Sequence, residues 1–208
     1  HVRSRRQRQM CIRDRPIVED SIYSDLWFNT EKQVPMKSLK NSDNVLYLGS
    51  LSKTVSPGLR IGWIVADKNV IRHLSDLKMQ NDYGASSIPQ HIATKWLNTY
   101  HEKHIDKLKV ELETRKHIFI EALKEHLSMY GSWSGPSGSF YIWFKFSISV
   151  NVKTLFNEAI KVNILIQPGE IYDLNYKNYI RFSYSYIDKS DIDRSLKKLS
   201  NIINRISI

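Results

Sequence analysis

Residues 49–63 constrain the fold more than any other part of the sequence. They read Gly-Ser-Leu-Ser-Lys-Thr-Val-Ser-Pro-Gly-Leu-Arg-Ile-Gly-Trp and join two apolar runs, at 45–48 and 61–65. β-Branched and aromatic residues dominate both runs, which predicts two buried strands connected by a tight loop. A loop between two core strands can hold a reactive side chain rigidly.

The loop carries one lysine, Lys53, between Ser50 and Arg60. A lysine reacts with carbonyl compounds by forming a Schiff base once its amine is deprotonated. Hydroxyls, loop amides and a guanidinium suit a phosphate monoester, which offers several acceptor oxygens and a high negative charge. A lysine beside a phosphate-binding loop predicts pyridoxal phosphate, a cofactor held by an imine and a phosphate clamp.

Two other interpretations fit a bare Ser-x-x-Lys. One is an incidental lysine in a basic loop. The other is the serine acylase pattern, which also needs a Ser-Asp-Asn-like element and a Lys-Thr-Gly. Lys53-Thr54-Val55 is not Lys-Thr-Gly, and neither element occurs downstream. The longer motif decides against both interpretations.

The full pattern, Ser-x-Ser-Lys-x-x-x-Pro-Gly-Leu-Arg-x-Gly, resembles the cofactor-lysine motif of class I/II aminotransferases, which are fold-type I pyridoxal phosphate enzymes. The resemblance implies an α/β fold. Part of a large domain, a mostly parallel sheet with helices, would precede a small α+β C-terminal domain. It also implies that Lys53 is the catalytic residue and the covalent anchor of the cofactor, and that Ser50 and Arg60 bind the phosphate. Ser52 would be a further phosphate neighbour.

Three more positions match functional residues of the same family. Asp20 and Tyr23 form an Asp-x-x-Tyr pair after a short apolar run. The resemblance implies that Asp20 keeps the pyridine nitrogen protonated and that Tyr23 lies near the ring 3-oxygen. Glu19 is expected to be a neighbour of this pair. Arg181, in the predicted strand 179–184, would bind the substrate α-carboxylate; the alternative is a salt bridge within the sheet.

The resemblance extends from residue 16 to about residue 206, but matches only the second half of the family pattern. The expected organisation is a basic tail at 1–15 outside the family pattern, the C-terminal part of the cofactor-binding domain at 16–100, and a connecting helix with the small domain at 101–208. Helices are predicted at 69–79, 90–127, 152–161 and 188–206, and a glycine-rich turn at 131–140 with one glycine fewer than the family pattern. We therefore expect a fragment with an incomplete pocket and exposed apolar surface.

Segments such as Asn-Asp-Tyr-Gly-Ala-Ser-Ser and Tyr-Ile-Arg-Phe-Ser-Tyr also resemble the C-terminal domain of MocR-type regulators of the GntR family. There an aminotransferase-like domain senses a ligand behind a winged helix-turn-helix. Two hypotheses follow. The chain belongs either to an aminotransferase that acts on an amino acid and a 2-oxo acid, or to a ligand sensor that contacts DNA only through another domain. Both imply a homodimer of the intact protein.

Composition excludes other classes. The formal net charge is +10, but residues 1–15 hold six arginines against one acid and carry half of it, which argues against a nucleic-acid-binding fold. No apolar stretch is long enough for a membrane helix. The single cysteine, Cys11, fits a reducing compartment, and we expect a cytoplasmic protein. His101, His104 and His117 lack the partners of a metal site and are predicted to be surface residues.

Overall fold

The computed structural model describes residues 15–28 and 33–207. The predicted basic tail therefore lies outside the described residues, apart from Arg15. The chain divides into two units, the first ending at Asp106 and the second beginning at Lys107, and each contains its own sheet.

In chain order the first unit holds β1 (Ile17–Asp20), β2 (Val45–Ser50), β3 (Gly62–Val65), α1 (Lys68–Asn81), α2 (Ser87–Thr99) and the start of α3 (His101–His126). The second unit holds the rest of α3, then β4 (Gly131–Trp133), β5 (Tyr141–Phe146), α4 (Val152–Lys161), β6 (Gln167–Pro168), β7 (Tyr179–Ser183) and α5 (Lys189–Ile206). Short 3₁₀ turns occupy Ser24–Leu26, Met36–Ser38, Pro57–Leu59 and Gly169–Ile171.

The sheet of the first unit has the order β1-β2-β3. β1 runs parallel to β2, with Asp20 opposite Leu48, whereas β3 runs antiparallel to β2, with Gly62 opposite Ser50. Among the described strands of this sheet, one pair is thus parallel and one antiparallel. Because β1 and β2 run in the same direction, their last residues, Asp20 and Ser50, lie toward one edge of the sheet.

The two apolar runs at 45–48 and 61–65 are less buried than expected. Val45 and Gly49 of β2 are buried, but all of β3 is exposed, and Trp63 keeps 43% of its surface accessible. The prediction that both strands are buried was wrong for β3, since an apolar strand is buried only where another element covers it. Ile17 and Val18 of β1 are exposed as well, in agreement with the expected exposed apolar surface.

The first helix prediction is confirmed by α1, which begins after an Asp67 cap that accepts a hydrogen bond from the Asn69 amide. The single long helix predicted at 90–127 is wrong. It is two helices, α2 and α3, that meet at Tyr100, whose backbone leaves the helical region (φ −123°, ψ −14°). No glycine or proline marks this break in the sequence, so local patterning could not reveal it.

The sheet of the second unit has the order β4-β5-β7-β6 and all its pairs are antiparallel. Alternate residues of β5 and β7 face the core. These are Ile142, Phe144, Phe146, Ile180 and Phe182. The helix predictions at 152–161 and 188–206 are confirmed by α4 and α5. The predicted turn at 131–140 was wrong for its first residues, because Gly131–Trp133 pairs with β5 as a strand.

Two features brace this second core. Glu111 of α3 accepts hydrogen bonds from Lys189 at 2.9 Å and from Arg115 at 2.8 Å. Both bonds lower the pKa of the Glu111 carboxyl, and the bond from Lys189 has the larger effect. The buried Tyr184 hydroxyl donates to the carbonyl of Ser139 at 2.6 Å. Ser139 stands next to Gly138 in the glycine-rich turn and has a φ of 69°, a conformation that favours glycine.

Candidate functional site

The loop that carries Lys53 is fixed by backbone hydrogen bonds at its base. The Leu51 amide donates to the carbonyl of Ile61 at 3.1 Å, which joins the two ends of the loop. The amides of Val55 and Ser56 then donate to the carbonyl of Leu51 at 2.9 and 3.1 Å. Lys53 therefore lies within a closed turn at the carboxyl end of β2.

Two predicted phosphate ligands, Ser50 and Ser52, are adjacent in space. The Ser50 Oγ accepts a hydrogen bond from the Ser52 amide at 3.1 Å and lies 3.0 Å from the Ser52 Oγ. It also lies 3.1 Å from the carbonyl of Ile61. The structure thus brings two hydroxyls together at the start of the loop, where each is half-buried and can reach a ligand.

Arg60 occupies the last loop position in an unusual backbone conformation. Its φ of 53° and ψ of 40° lie in the left-handed region, directly after the 3₁₀ turn Pro57–Leu59. Non-glycine residues adopt this region at a cost of about 1 kcal/mol, and such strain concentrates at ligand-binding positions. The exposed guanidinium uses one nitrogen, Nη1, to donate to the carbonyl of Pro57 at 3.3 Å. In the described part of the chain its other donors have no hydrogen-bond partner, so they are available to an anion.

The Lys53 amine lies 5.8 Å from the centre of the Tyr23 ring. Among the residues that the structure describes, no carboxylate pairs with this amine and no group hydrogen-bonds to it. The structure therefore brings Lys53 and Tyr23 together, and it leaves the lysine without a neutralising partner in the described part of the chain.

Asp20 ends β1, and its Oδ1 accepts a long hydrogen bond from the Ile22 amide at 3.3 Å. Its carboxylate is exposed at the sheet edge where β2 delivers the loop. Glu19 points elsewhere: its two oxygens accept hydrogen bonds from the amides of Met36 and Lys37 at 2.9 and 3.0 Å. This agrees with the sequence interpretation of Glu19 as a neighbour of the site.

Pyridoxal phosphate, which the sequence resemblance implies, fits these residues chemically. Lys53 offers an amine that has no counter-ion among the described residues, and Ser50, Ser52 and Arg60 offer donors to a phosphate. Asp20 and Tyr23 offer a carboxylate and a phenol at the same sheet edge. The roles of the individual residues remain predictions.

Arg181 lies in the second unit, on the face of β7 opposite the core. Its guanidinium carbon lies 3.9 Å from the centre of the Tyr141 ring and 4.6 Å from that of Tyr172. Its Nε donates to the side chain of Gln167, its cross-strand partner on β6, at 2.7 Å. We call these four residues the arginine clamp.

The predicted alternative for Arg181, a salt bridge within the sheet, is not found. No acidic side chain of the described residues lies within ion-pair distance, and the terminal guanidinium nitrogens have no hydrogen-bond partner there. Two rings and one amide oxygen orient the guanidinium while leaving its outer edge open. That edge is the one that binds a carboxylate with two parallel hydrogen bonds.

Sequence reasoning missed His104, which it placed on the surface. His104 is half-buried, and its Nε2 lies 2.9 Å from the carbonyl oxygen of Thr54, the residue that follows Lys53. His101 is also half-buried and lies 3.8 Å from Asp25, whereas His117 is exposed as predicted. Histidine spacing on a helix carries no information about which loop packs against it, so no local signal could have found this contact.

A group of possible metal ligands, Glu125, His126 and Asp193, lies in the second unit with ligand atoms within 4.8 Å of one another. The His126 Nε2 is 2.6 Å from the Asp193 Oδ1, a contact that joins α3 to α5. This contact between two helices accounts for the arrangement without a metal ion.

Among the helices that the structure describes, none has the length and hydrophobicity of a membrane-spanning segment.

Residues 11–199 match the sequence model of the protein family described as aminotransferase class I and II. Among curated proteins, the chain is 42% identical over 193 residues to the HTH-type transcriptional regulator YdfD of Bacillus subtilis, and 35% identical to the HTH-type transcriptional regulator NorG of Staphylococcus aureus. Each alignment covers 92% of this chain, but only 40% and 43% of the relatives. The chain thus spans about two fifths of the length of these relatives.

Two of the solved structures that resemble the chain are aminotransferases of known substrate. The kynurenine aminotransferase of Pyrococcus horikoshii has a TM-score of 0.86 and 30% identity, with 91% of this chain and 48% of that one covered. The α-aminoadipate aminotransferase LysN of Thermus thermophilus has a TM-score of 0.88 at 22% identity, with 98% and 54% covered. The second likeness shows the fold alone.

Proposed function

The chain belongs to the class I and II aminotransferase family, and we propose that it binds pyridoxal phosphate at Lys53 as the ligand-sensing domain of an HTH-type transcriptional regulator. One observation supports cofactor binding most directly: the Lys53 amine has no counter-ion in the described part of the chain, and the fixed loop that carries it also carries two hydroxyls and an arginine. The regulator role is supported by the curated relatives, which bear that name.

The side chains have separate tasks in this proposal. Pyridoxal phosphate, when bound, supplies an electron sink for the carbon next to the amino group. Lys53 Nζ holds the cofactor covalently and, once displaced, can take a proton from that carbon. Asp20 keeps a proton at the pyridine nitrogen by offering a nearby negative charge. Ser50, Ser52 and Arg60 bind the phosphate through their donors.

Arg181 determines the class of ligand. The arginine clamp presents an open guanidinium edge, so the ligand carries a carboxylate. The family resemblance implies that this carboxylate is the α-carboxylate of an amino acid or its 2-oxo counterpart, and the proposal adopts that ligand class.

The second candidate function is amino-group transfer between such compounds. It is favoured by two solved structures of similar fold, both of which are aminotransferases. Both functions use the same site. They differ in turnover, since a sensor needs only a change in the protein when the ligand binds. In either case we propose a homodimer as the intact form. If the protein is a regulator, we propose that it contacts DNA through residues outside the family-matched segment. The regulator proposal also implies a cytoplasmic location.

Absorbance titration of the purified chain with pyridoxal phosphate tests the proposal. We expect a spectral change that is lost in Lys53→Ala and retained in Lys103→Ala, a control at an exposed lysine of α3. Amino acids should then alter the spectrum, with affinity at least tenfold weaker in Arg181→Gln, since a two-bond charged contact is lost.

Measurement of 2-oxo acid separates the two functions. More than one equivalent per cofactor, in the presence of an amino acid and a second 2-oxo acid, would identify the enzyme. A spectral response without turnover would identify the sensor. A spectral change that persists in Lys53→Ala would contradict the proposed cofactor site itself.

A further inference from the structure

The residue after Lys53 is held from a distant part of the sequence. Thr54 is only 3% exposed, and its buried hydroxyl has no hydrogen-bond partner in the described residues. Its carbonyl oxygen lies 2.9 Å from the Nε2 of His104. Because a carbonyl can only accept, this ring nitrogen carries the hydrogen and donates it.

The position of the His104 ring is itself fixed. His104 lies in the first turn of α3, where its amide donates to the carbonyl of Tyr100 at 3.0 Å. The ring meets the indole of Trp96, on α2, edge-on with centroids 5.3 Å apart. Trp96 in turn contacts the Tyr100 ring at 5.4 Å. Two helices therefore set where the imidazole points.

We propose that His104 is a positioning residue for Lys53, acting through the carbonyl of Thr54. This inference rests on the proposed role of Lys53 as the cofactor-binding lysine. The amides of Val55 and Ser56 already tie the far side of the turn to Leu51. The Thr54 carbonyl and the Val55 amide belong to one peptide unit, which His104 holds at its carbonyl and Leu51 holds at its amide. The bond from His104 therefore restricts the backbone of Thr54, the residue that follows Lys53, and through it the direction in which the lysine side chain leaves the backbone.

A purely structural role makes a different prediction. Loss of the donor would leave a buried carbonyl unpaired and lower the stability of the unit in either case. If His104 only stabilises the fold, the accessibility and reactivity of the Lys53 amine in the folded chain stay the same. If His104 positions Lys53, the amine changes its reactivity, and a side chain that restores the donor restores the amine.

Three variants of the chain separate these cases. His104→Leu removes the donor, His104→Gln supplies an amide N–H in its place, and His117→Leu changes an exposed histidine of the same helix as a control. The first readout is the rate at which an amine-acylating reagent labels Lys53, relative to the exposed Lys103, by peptide mass spectrometry. The second is the apparent affinity for pyridoxal phosphate, and the third is amide exchange at Val55 and Ser56.

We expect His104→Leu to weaken pyridoxal phosphate binding about tenfold and to change the relative labelling rate and the amide exchange, as for the loss of one hydrogen bond. His104→Gln should recover most of each change, and His117→Leu should match the unmodified chain. Circular dichroism and urea unfolding identify the fraction folded, so that each readout refers to folded molecules.

Unchanged labelling and exchange in a folded His104→Leu variant would overturn the positioning role. A chain that shows no Lys53-dependent cofactor binding would instead overturn the proposed function. Labelling and amide exchange need no cofactor, so they still decide whether His104 positions the lysine in that case.

Discussion

Gly49 makes the sharpest prediction about the sheet that carries Lys53. A Cβ added at Gly49 would lie 2.2 Å from the Cε2 atom of Trp63 and 2.4 Å from its Cζ2 and Nε1 atoms. The two residues are cross-strand partners on β2 and β3, so the indole ring lies across the space that a side chain would fill. Carbon atoms in good contact lie about 3.5–4.0 Å apart, so the ring must move by more than about 1 Å in Gly49→Ala.

The size of the effect follows from where the ring can go. Trp63 is 43% exposed, which lets the ring rotate toward solvent without forcing the backbone apart. The loss is then the contact of the ring with the sheet, and we expect Gly49→Ala to lower the free energy of unfolding by about 1–3 kcal/mol, the range for overpacked sites. In a Trp63→Ala background the obstacle is absent. Alanine should then be neutral or stabilise by up to about 1 kcal/mol relative to glycine in a strand.

Urea unfolding of the chain and its three variants, followed by circular dichroism, measures this double-mutant cycle. The reasoning requires a coupling energy of at least about 1 kcal/mol between the two sites. An equal cost of Gly49→Ala with and without the Trp63 ring would refute it, because the clash would then not be the cause.

Two further predictions concern the second unit. Ser139→Gly should raise the free energy of unfolding by about 1 kcal/mol, since it relieves a φ of 69°, and thermal unfolding would detect the gain; a loss would show that the Ser139 side chain matters more than the backbone strain. Burial raises the pKa of the Tyr184 hydroxyl, so the unfolded state ionises first, and stability should be constant below about pH 10 and fall as the pH rises above it. Tyr184→Phe should flatten that alkaline fall, and a fall of unchanged slope in this variant would assign it to other groups.

The sequence predicts structure best where the chemistry of neighbouring residues determines it. Helix α4 has the bounds predicted from its pattern, and Asn151 caps it by accepting from the Thr154 amide. Arg181 could be predicted as an unusual strand residue because it alternates with apolar neighbours. The roles assigned to it and to the Lys53 loop came from a resemblance of motif, and they stay predictions.

What could not be predicted depends on contacts between distant segments. The exposure of β3 depends on which element covers an apolar face, and that is not encoded in the strand. The break at Tyr100 and the strand at Gly131–Trp133 have the same origin, since partner elements override weak local preferences. The same limit applies to the functional site, because the partner of His104 is Thr54, which lies far away in the chain.

Helix α3 has a consequence for any attempt to separate the two units. The boundary between Asp106 and Lys107 falls inside this helix and not in a linker. A cut there would leave up to four unpaired carbonyls on one piece and four unpaired amides on the other. Proteases favour exposed, irregular backbone, so limited digestion would not reveal this boundary. The units are distinct as packed bodies but continuous as covalent structure, and expressing either alone would mean ending it in mid-helix.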